Sequence, residues 1–191
     1  MSAFELYFKL GFLHITDWEG YDHMLFLLAL CGAYSFAEWR KLALLVTAFT
    51  AGHSLTLALT ALDVIRVNPD LIEFLIPLTI LVTALVTIFR SQEVKSRFLV
   101  MRYVLALAFG LIHGMGFSSY FHSLLGTADE VMAPLFYFNV GVEFGQLVIV
   151  AAILLMGWVA RGPLRIPTRW WRIGISVLAG VLAIGLMINL R

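Results

Sequence analysis

Long apolar runs separated by short polar breaks dominate this chain. Six runs, at about 21–38, 42–62, 70–89, 98–118, 133–160 and 169–189, approach or reach the ~20 apolar residues a helix needs to cross a bilayer. The breaks between them are local. Glu38, Trp39, Arg40 and Lys41 close the first run. Asn68-Pro69-Asp70 reads as a turn followed by a helix start. Arg90 to Arg97 is a polar connector, Gly126 to Glu130 precedes the fifth run, and Gly162-Pro163 with Pro167 separates the last two. The pattern predicts an all-α polytopic membrane protein, residues 1–191 forming one domain with six transmembrane helices. Ahead of them, Ser2, Glu5 and Lys9 recur every three or four positions in a stretch too short to span. That spacing predicts an N-terminal interfacial amphipathic helix. Without a basic leading segment, the stretch does not read as a cleaved signal peptide.

Composition agrees. The 191 residues are 61% hydrophobic and 13% charged, against roughly half apolar and about a quarter charged in soluble domains. A net charge of +1 leaves no basic surface for nucleic acid, and no nucleotide-binding motif is present. The single cysteine, Cys31, excludes an internal disulfide and a cysteine-based metal cage. Ten of the thirteen basic residues fall in the three connectors between spans 1–2, 3–4 and 5–6. By the positive-inside rule those connectors face the cytoplasm and both termini face outward. Trp39, Trp170 and Trp171 then form an inner aromatic belt, and Trp18 an outer one. Ten of the twelve acids lie toward the outer side, which concentrates cations there.

Charge and depth give the polar groups inside the spans their meaning. Asp22 and His23 begin the first span. Counting from the outer helix ends at ~1.5 Å per residue, His113 lies ~8 Å deep, His53 ~14 Å and Glu143 ~15 Å. All fall in the outer half of the membrane, in spans 1, 2, 4 and 5. Spans 3 and 6 carry only Thr79, Thr83, Thr87, Ser176 and Asn189 and read as scaffold. An ionisable group inside a span is costly, which makes each one a functional candidate. Imidazoles joined by carboxylates point to a divalent transition metal. The candidate ligands are His14, Asp22, His23, His53, His113 and Glu143. For His53, followed by Ser54, a hydrogen-bonded structural role is the alternative. His14 and Asp17 are close enough to the surface to be solvated, and His122 reads as a loop residue. Gly110, Gly114 and Gly116 around His113 allow either close helix approach or a break that frees backbone groups. Asn139, Glu143 and Gln146 share one helix face, beside a Gly141/Gly145 packing stripe.

The stretches GYDHMLFLLAL, FTAGHSLTLAL, FGLIHGMGF and FNVGVEFGQL resemble the HupE/UreJ family of small bacterial membrane proteins, over about residues 11 to 150. The resemblance implies a role in nickel uptake for hydrogenase and urease, and residence in the bacterial inner membrane. The family pattern carries a His, five residues, then Asp-His; here seven residues separate His14 from Asp22-His23. A second family pattern, Phe-His-Gly-x-x-His-Gly-x-Glu, keeps only His113 here, in Phe109 to Gly116. Asp22, His23 and His113 therefore carry over, and the chain resembles a divergent branch.

Two functions fit these residues best. One is a secondary permease for nickel, cobalt or zinc, with His14, Asp17 and Asp22 passing the ion to His23, His53 and His113. Glu143 would neutralise charge or exchange protons. The other is an intramembrane zinc hydrolase acting on a lipid or lipoprotein from the outer leaflet, with Asp22 or Glu143 as base. A metal sensor or assembly partner ranks third, because the short loops offer little soluble surface. The expected partners are a metal ion and the lipid bilayer; a homo-oligomer is left open.

Overall fold

The computed structural model describes residues 2–18, 20–32, 34–89, 96–117 and 131–190, with backbone alone at 96–99 and 101. His122 and the 126–130 segment lie outside the described residues. The described chain is helical. Its elements are α1 (Ala3–Thr16), α2 (Asp22–Cys31), a short 3-10 turn (Phe36–Glu38), α3 (Trp39–Ala61), α4 (Pro69–Ile88), α5 (Ser96–Gly116), α6 (Met132–Arg161) and α7 (Thr168–Asn189). Among the described residues, four helices are long and apolar enough to cross a membrane: α3 with its leading turn, α4, α6 and α7. α2 and the Arg102–Gly116 part of α5 are apolar but shorter.

Local chemistry sets the boundaries. The Ser2 hydroxyl accepts from the Glu5 N–H at 3.2 Å, and the Glu5 carboxylate accepts from the Ser2 N–H at 2.8 Å. This reciprocal cap starts α1. α4 starts where Asn68 Oδ1 accepts from the Asp70 N–H at 2.9 Å, with Pro69 at the first helical position.

The expected span 21–38 is where the fold departs most from the sequence reading. Its helix ends at Cys31 after ten residues. The chain then passes through Gly32 to Ser35, whose N–H and hydroxyl both meet the Glu38 carboxylate, at 3.2 and 3.3 Å. Ser35-Phe36-Ala37-Glu38 is thus a capping signature placed ahead of α3, and it ends the run as one helix. The N-terminal segment departs as well. Its polar stripe is exposed as expected, at Ser2, Glu5 and Lys9. Its opposite face packs lengthwise along α6 instead of lying on a membrane surface.

Two helix pairs form the frame. In α3/α5, Gly52 faces the Leu107 carbonyl, Gly110 faces the Phe49 carbonyl and Gly114 faces the His53 carbonyl. A Cβ at any of the three would overlap backbone. The order of these contacts makes the two helices parallel. In α1/α6, Gly11 faces the Phe138 carbonyl and Gly141 faces the Phe8 carbonyl, again in parallel. Helix association in lipid relies on van der Waals packing and close backbone approach, which glycine permits. α5 runs unbroken through Gly116, so its glycines serve approach and not a helix break. α3 runs antiparallel to α6, Leu57 and Ala61 clustering with Leu135 and Phe138. α2 descends between them with Phe26 against Phe49 and Phe109. α4 and α7 pack on each other along the outside, consistent with scaffold. Arg40, Lys41, Arg161, Arg165, Arg169 and Arg172 then share one end of the bundle, and Asp63, Asp70 and Glu73 the other.

Gly110→Ala is expected to force α3 and α5 apart and cost about 1–3 kcal/mol, as overpacking does. Gly185, with open space around it, is the control: Gly185→Ala is expected to be neutral or mildly stabilising. Thermal denaturation midpoints of the purified variants check both.

Candidate metal centre

The two glycine seams bring histidines from four helices to one place. His53 follows Gly52 and His113 precedes Gly114, so the α3/α5 contact sets both rings at one level. His14 sits one turn beyond Gly11, where α1 meets α6. His23 begins α2. The ring centroids of His14 and His23 are 4.8 Å apart, His23 and His113 5.1 Å, His14 and His53 5.9 Å, and His23 and His53 6.0 Å. Nitrogens of His14, His23 and His53 all lie within 4.8 Å of one another. A tetrahedral ion with metal–nitrogen bonds of about 2.0–2.1 Å needs nitrogens roughly 3.4 Å apart. The three rings therefore need to close by about an ångström, which side-chain rotation supplies.

Burial makes this cluster unusual. His23, His53 and His113 are at most 5% exposed. His14 Nε2, His23 Nε2 and both ring nitrogens of His113 are buried without a hydrogen-bond partner. Neither ring nitrogen of His53 completes a hydrogen bond, although the Asn139 carboxamide stands close enough to interact. Buried polar groups are nearly always satisfied, so a knot of orphaned nitrogens calls for a ligand. Phe26, Phe49, Phe117 and Phe138 pack against the rings.

Asp22 supports the centre from outside. Its Oδ1 lies 2.9 Å from His23 Nδ1 and accepts from the His23 N–H at 2.8 Å. A carboxylate on Nδ1 fixes the proton there and leaves Nε2 as the free lone pair, the arrangement by which second-layer carboxylates orient metal-binding histidines. Access is from the acidic end. An open cleft of about 640 Å³ is lined by His14, Asp17, Trp18 and Phe117. A second, of about 170 Å³, is lined by Asp22, Tyr21 and Glu73.

The structure thus assembles five of the six expected residues: His14, His23, His53, His113 and, through His23, Asp22. It sets Glu143 apart. Glu143 Oε1 meets the Thr47 hydroxyl at 2.6 Å, two turns along α3 from His53. The sequence reading missed the aromatic walls, whose residues look like ordinary apolar filling. It also missed Thr47 and Thr50, although Thr47, Thr50 and Ser54 form a polar stripe on α3 matching that of Asn139, Glu143 and Gln146 on α6.

A sequence profile of HupE/UreJ proteins matches residues 1–190, essentially the whole chain. The chain belongs to the HupE/UreJ family. These are membrane proteins connected with nickel and cobalt transport, and the histidine cluster is compatible with that role. Neither curated proteins nor solved structures gave a match to this HupE/UreJ chain.

Orphaned nitrogens carry a desolvation cost of about 1–3 kcal/mol each. His113→Leu is therefore expected to raise the thermal denaturation midpoint of metal-free protein. A lower midpoint would show that the ring is a packing element.

Proposed function

We propose that this HupE/UreJ protein is a secondary permease for a divalent transition metal, with His14, His23, His53 and His113 as the ion's transient ligands. The convergence of the His14 imidazole with the three buried imidazoles of His23, His53 and His113, all with an unsatisfied nitrogen, carries this reading. Neutral imidazoles suit borderline ions such as Ni²⁺, Co²⁺ and Zn²⁺, and the family connection favours nickel. Asp22 holds the His23 ring in the metal-binding tautomer. The cation is gathered at the acidic end, meets His14 and Asp17 in the open cleft, and loses water as it enters the aromatic enclosure. The basic end faces the cytoplasm of a bacterial inner membrane, both termini lie outside, and six segments cross. α2 completes its crossing inside the bundle, where non-helical backbone is tolerated because protein surrounds it. Without a nucleotide-binding motif, ion gradients or a partner drive the movement.

The intramembrane zinc hydrolase is the second reading, and the three imidazoles of His14, His23 and His53 are the number of ligands it would need. A catalytic zinc keeps three protein ligands and an open position for water. Here a fourth imidazole, that of His113, adjoins the same site.

In vesicles containing the purified protein, uptake of Ni²⁺ is expected in the wild type and not in His53→Ala or His23→Ala. Asp22→Asn is expected to weaken metal affinity roughly 10–100-fold, as loss of a second-layer partner does. Affinity should also fall as pH is lowered, because protons compete for the same imidazole lone pairs. Wild-type uptake retained in His53→Ala would remove His53 from the path. Stoichiometric zinc that survives dialysis, with no uptake, would favour the hydrolase.

A further inference from the structure

Two contacts fix the register of α3 against α6. Thr50 Oγ1 donates to Gln146 Oε1 at 2.6 Å, and Thr47 Oγ1 lies 2.6 Å from Glu143 Oε1. The helices run antiparallel, so moving up α3 means moving back along α6. His53 is three residues beyond Thr50 and six beyond Thr47. Asn139 is seven residues before Gln146 and four before Glu143. Averaged over the two contacts, that is roughly 7 Å along α3 and 8 Å along α6. Asn139 therefore stands at the level of His53. Its neighbour Phe138 packs on His14 through its ring, at 5.7 Å, and abuts Gly11 through its carbonyl, so this turn of α6 is held against α1.

The Asn139 amide has a defined orientation. Its Nδ2 donates to the Leu135 carbonyl at 2.8 Å. The reverse orientation would set one oxygen against another, so Oδ1 is the end left over. That oxygen is buried and has no hydrogen-bond partner. His53 is fully buried, lies within interacting range of Asn139, and completes no hydrogen bond at either ring nitrogen. A neutral imidazole carries one N–H and one lone pair. The rings that face His53, those of His14, His23 and Phe49, offer its N–H no oxygen. A buried acceptor without a donor thus stands beside a buried donor without an acceptor, a pairing that buried polar groups rarely leave unmade.

We propose that Asn139 is the positioning residue of His53: its Oδ1 accepts the N–H of one ring nitrogen and turns the lone pair of the other toward the ion. Rotation of the ring completes both contacts together. Asp22 does the same for His23, but with a charge. A carboxylate makes its imidazole a stronger ligand, whereas an amide orients the ring without that added strength. One charged and one neutral orienter hold the cation less tightly than two carboxylates, which suits an ion that must leave again. The inference rests on the metal-centre reading and assigns a residue that sets the strength of that centre.

Zn²⁺ affinity of the full chain in lipid nanodiscs, measured by competition with a chelating dye, tests it. Asn139→Leu is expected to bind zinc roughly 10–100-fold more weakly than wild type, as loss of a second-layer partner does. Asn139→Asp is expected to bind it more tightly than wild type. Both effects should vanish in a His53→Ala background, because residues that act through one another are not additive. Metal-free Asn139→Leu should melt no lower than wild type. Wild-type affinity in Asn139→Leu overturns the proposal, as does either change persisting without His53. Asn139→Asp binding as weakly as Asn139→Leu marks a packing role and overturns it too. All three outcomes leave the metal centre standing. Failure of the wild type to bind zinc or nickel overturns the metal centre, and the proposal with it.

Discussion

Backbone-to-backbone contact at glycine is the constraint on which the rest of this structure depends. Gly52, Gly110 and Gly114 let α3 and α5 touch, and Gly11 and Gly141 do the same for α1 and α6. In lipid there is little hydrophobic drive to press helices together, so close packing must come from shape. Each seam carries a histidine beside its glycines. The contact that holds the helices therefore also sets the height and direction of His53, His113 and His14. A methyl group at the seam would move the backbone and the metal centre together.

The interior built on these seams divides into two chemistries. Around the histidines the walls are aromatic, and most of the ring nitrogens lack partners. Desolvated imidazoles are good ligands for a cation that has shed its water, and the cost of leaving them unpaired is the sign of a site kept for use. Along the α3/α6 seam the groups are oxygens and amides instead. Hydroxyls of Thr47 and Thr50 meet Glu143 and Gln146 in repeating contacts.

The acidic and basic ends give the molecule a direction. Both open clefts that touch the centre, through His14 and through Asp22, carry carboxylates at their mouths. From the side of Arg102 and Tyr34 another cleft reaches Phe26 and Phe109. Below the centre Phe26 packs on Phe49 at 4.8 Å and on Phe109 at 6.1 Å, closing the floor with rings.

Much of this was legible in the chain alone, because lipid imposes a one-dimensional rule. Apolar length and polar breaks located most helices to within a few residues: α3 is 39–61 against the expected 42–62, and α6 is 132–161 against 133–160. The same rule made Asp22, His23, His53, His113 and Glu143 conspicuous, since each interrupts an apolar run. It failed where a tertiary contact outweighs the local pattern. The polar stripe of α1 is compatible with a membrane surface or with a bundle edge; only Gly11 meeting the Phe138 carbonyl decides for the bundle, and with it the place of His14. The first span broke at Cys31 because a cap at Ser35 and Glu38 competes with helix continuation. Glu143 was legible as a polar group but not as a separate one. Its depth counted from the sequence matched that of His53, but in the fold it meets Thr47, six residues along α3 from His53. Sequence determined which residues are costly to bury and roughly how deep they lie. Which of them face each other was decided by helix azimuth and close approach, which depend on packing between segments far apart in the chain.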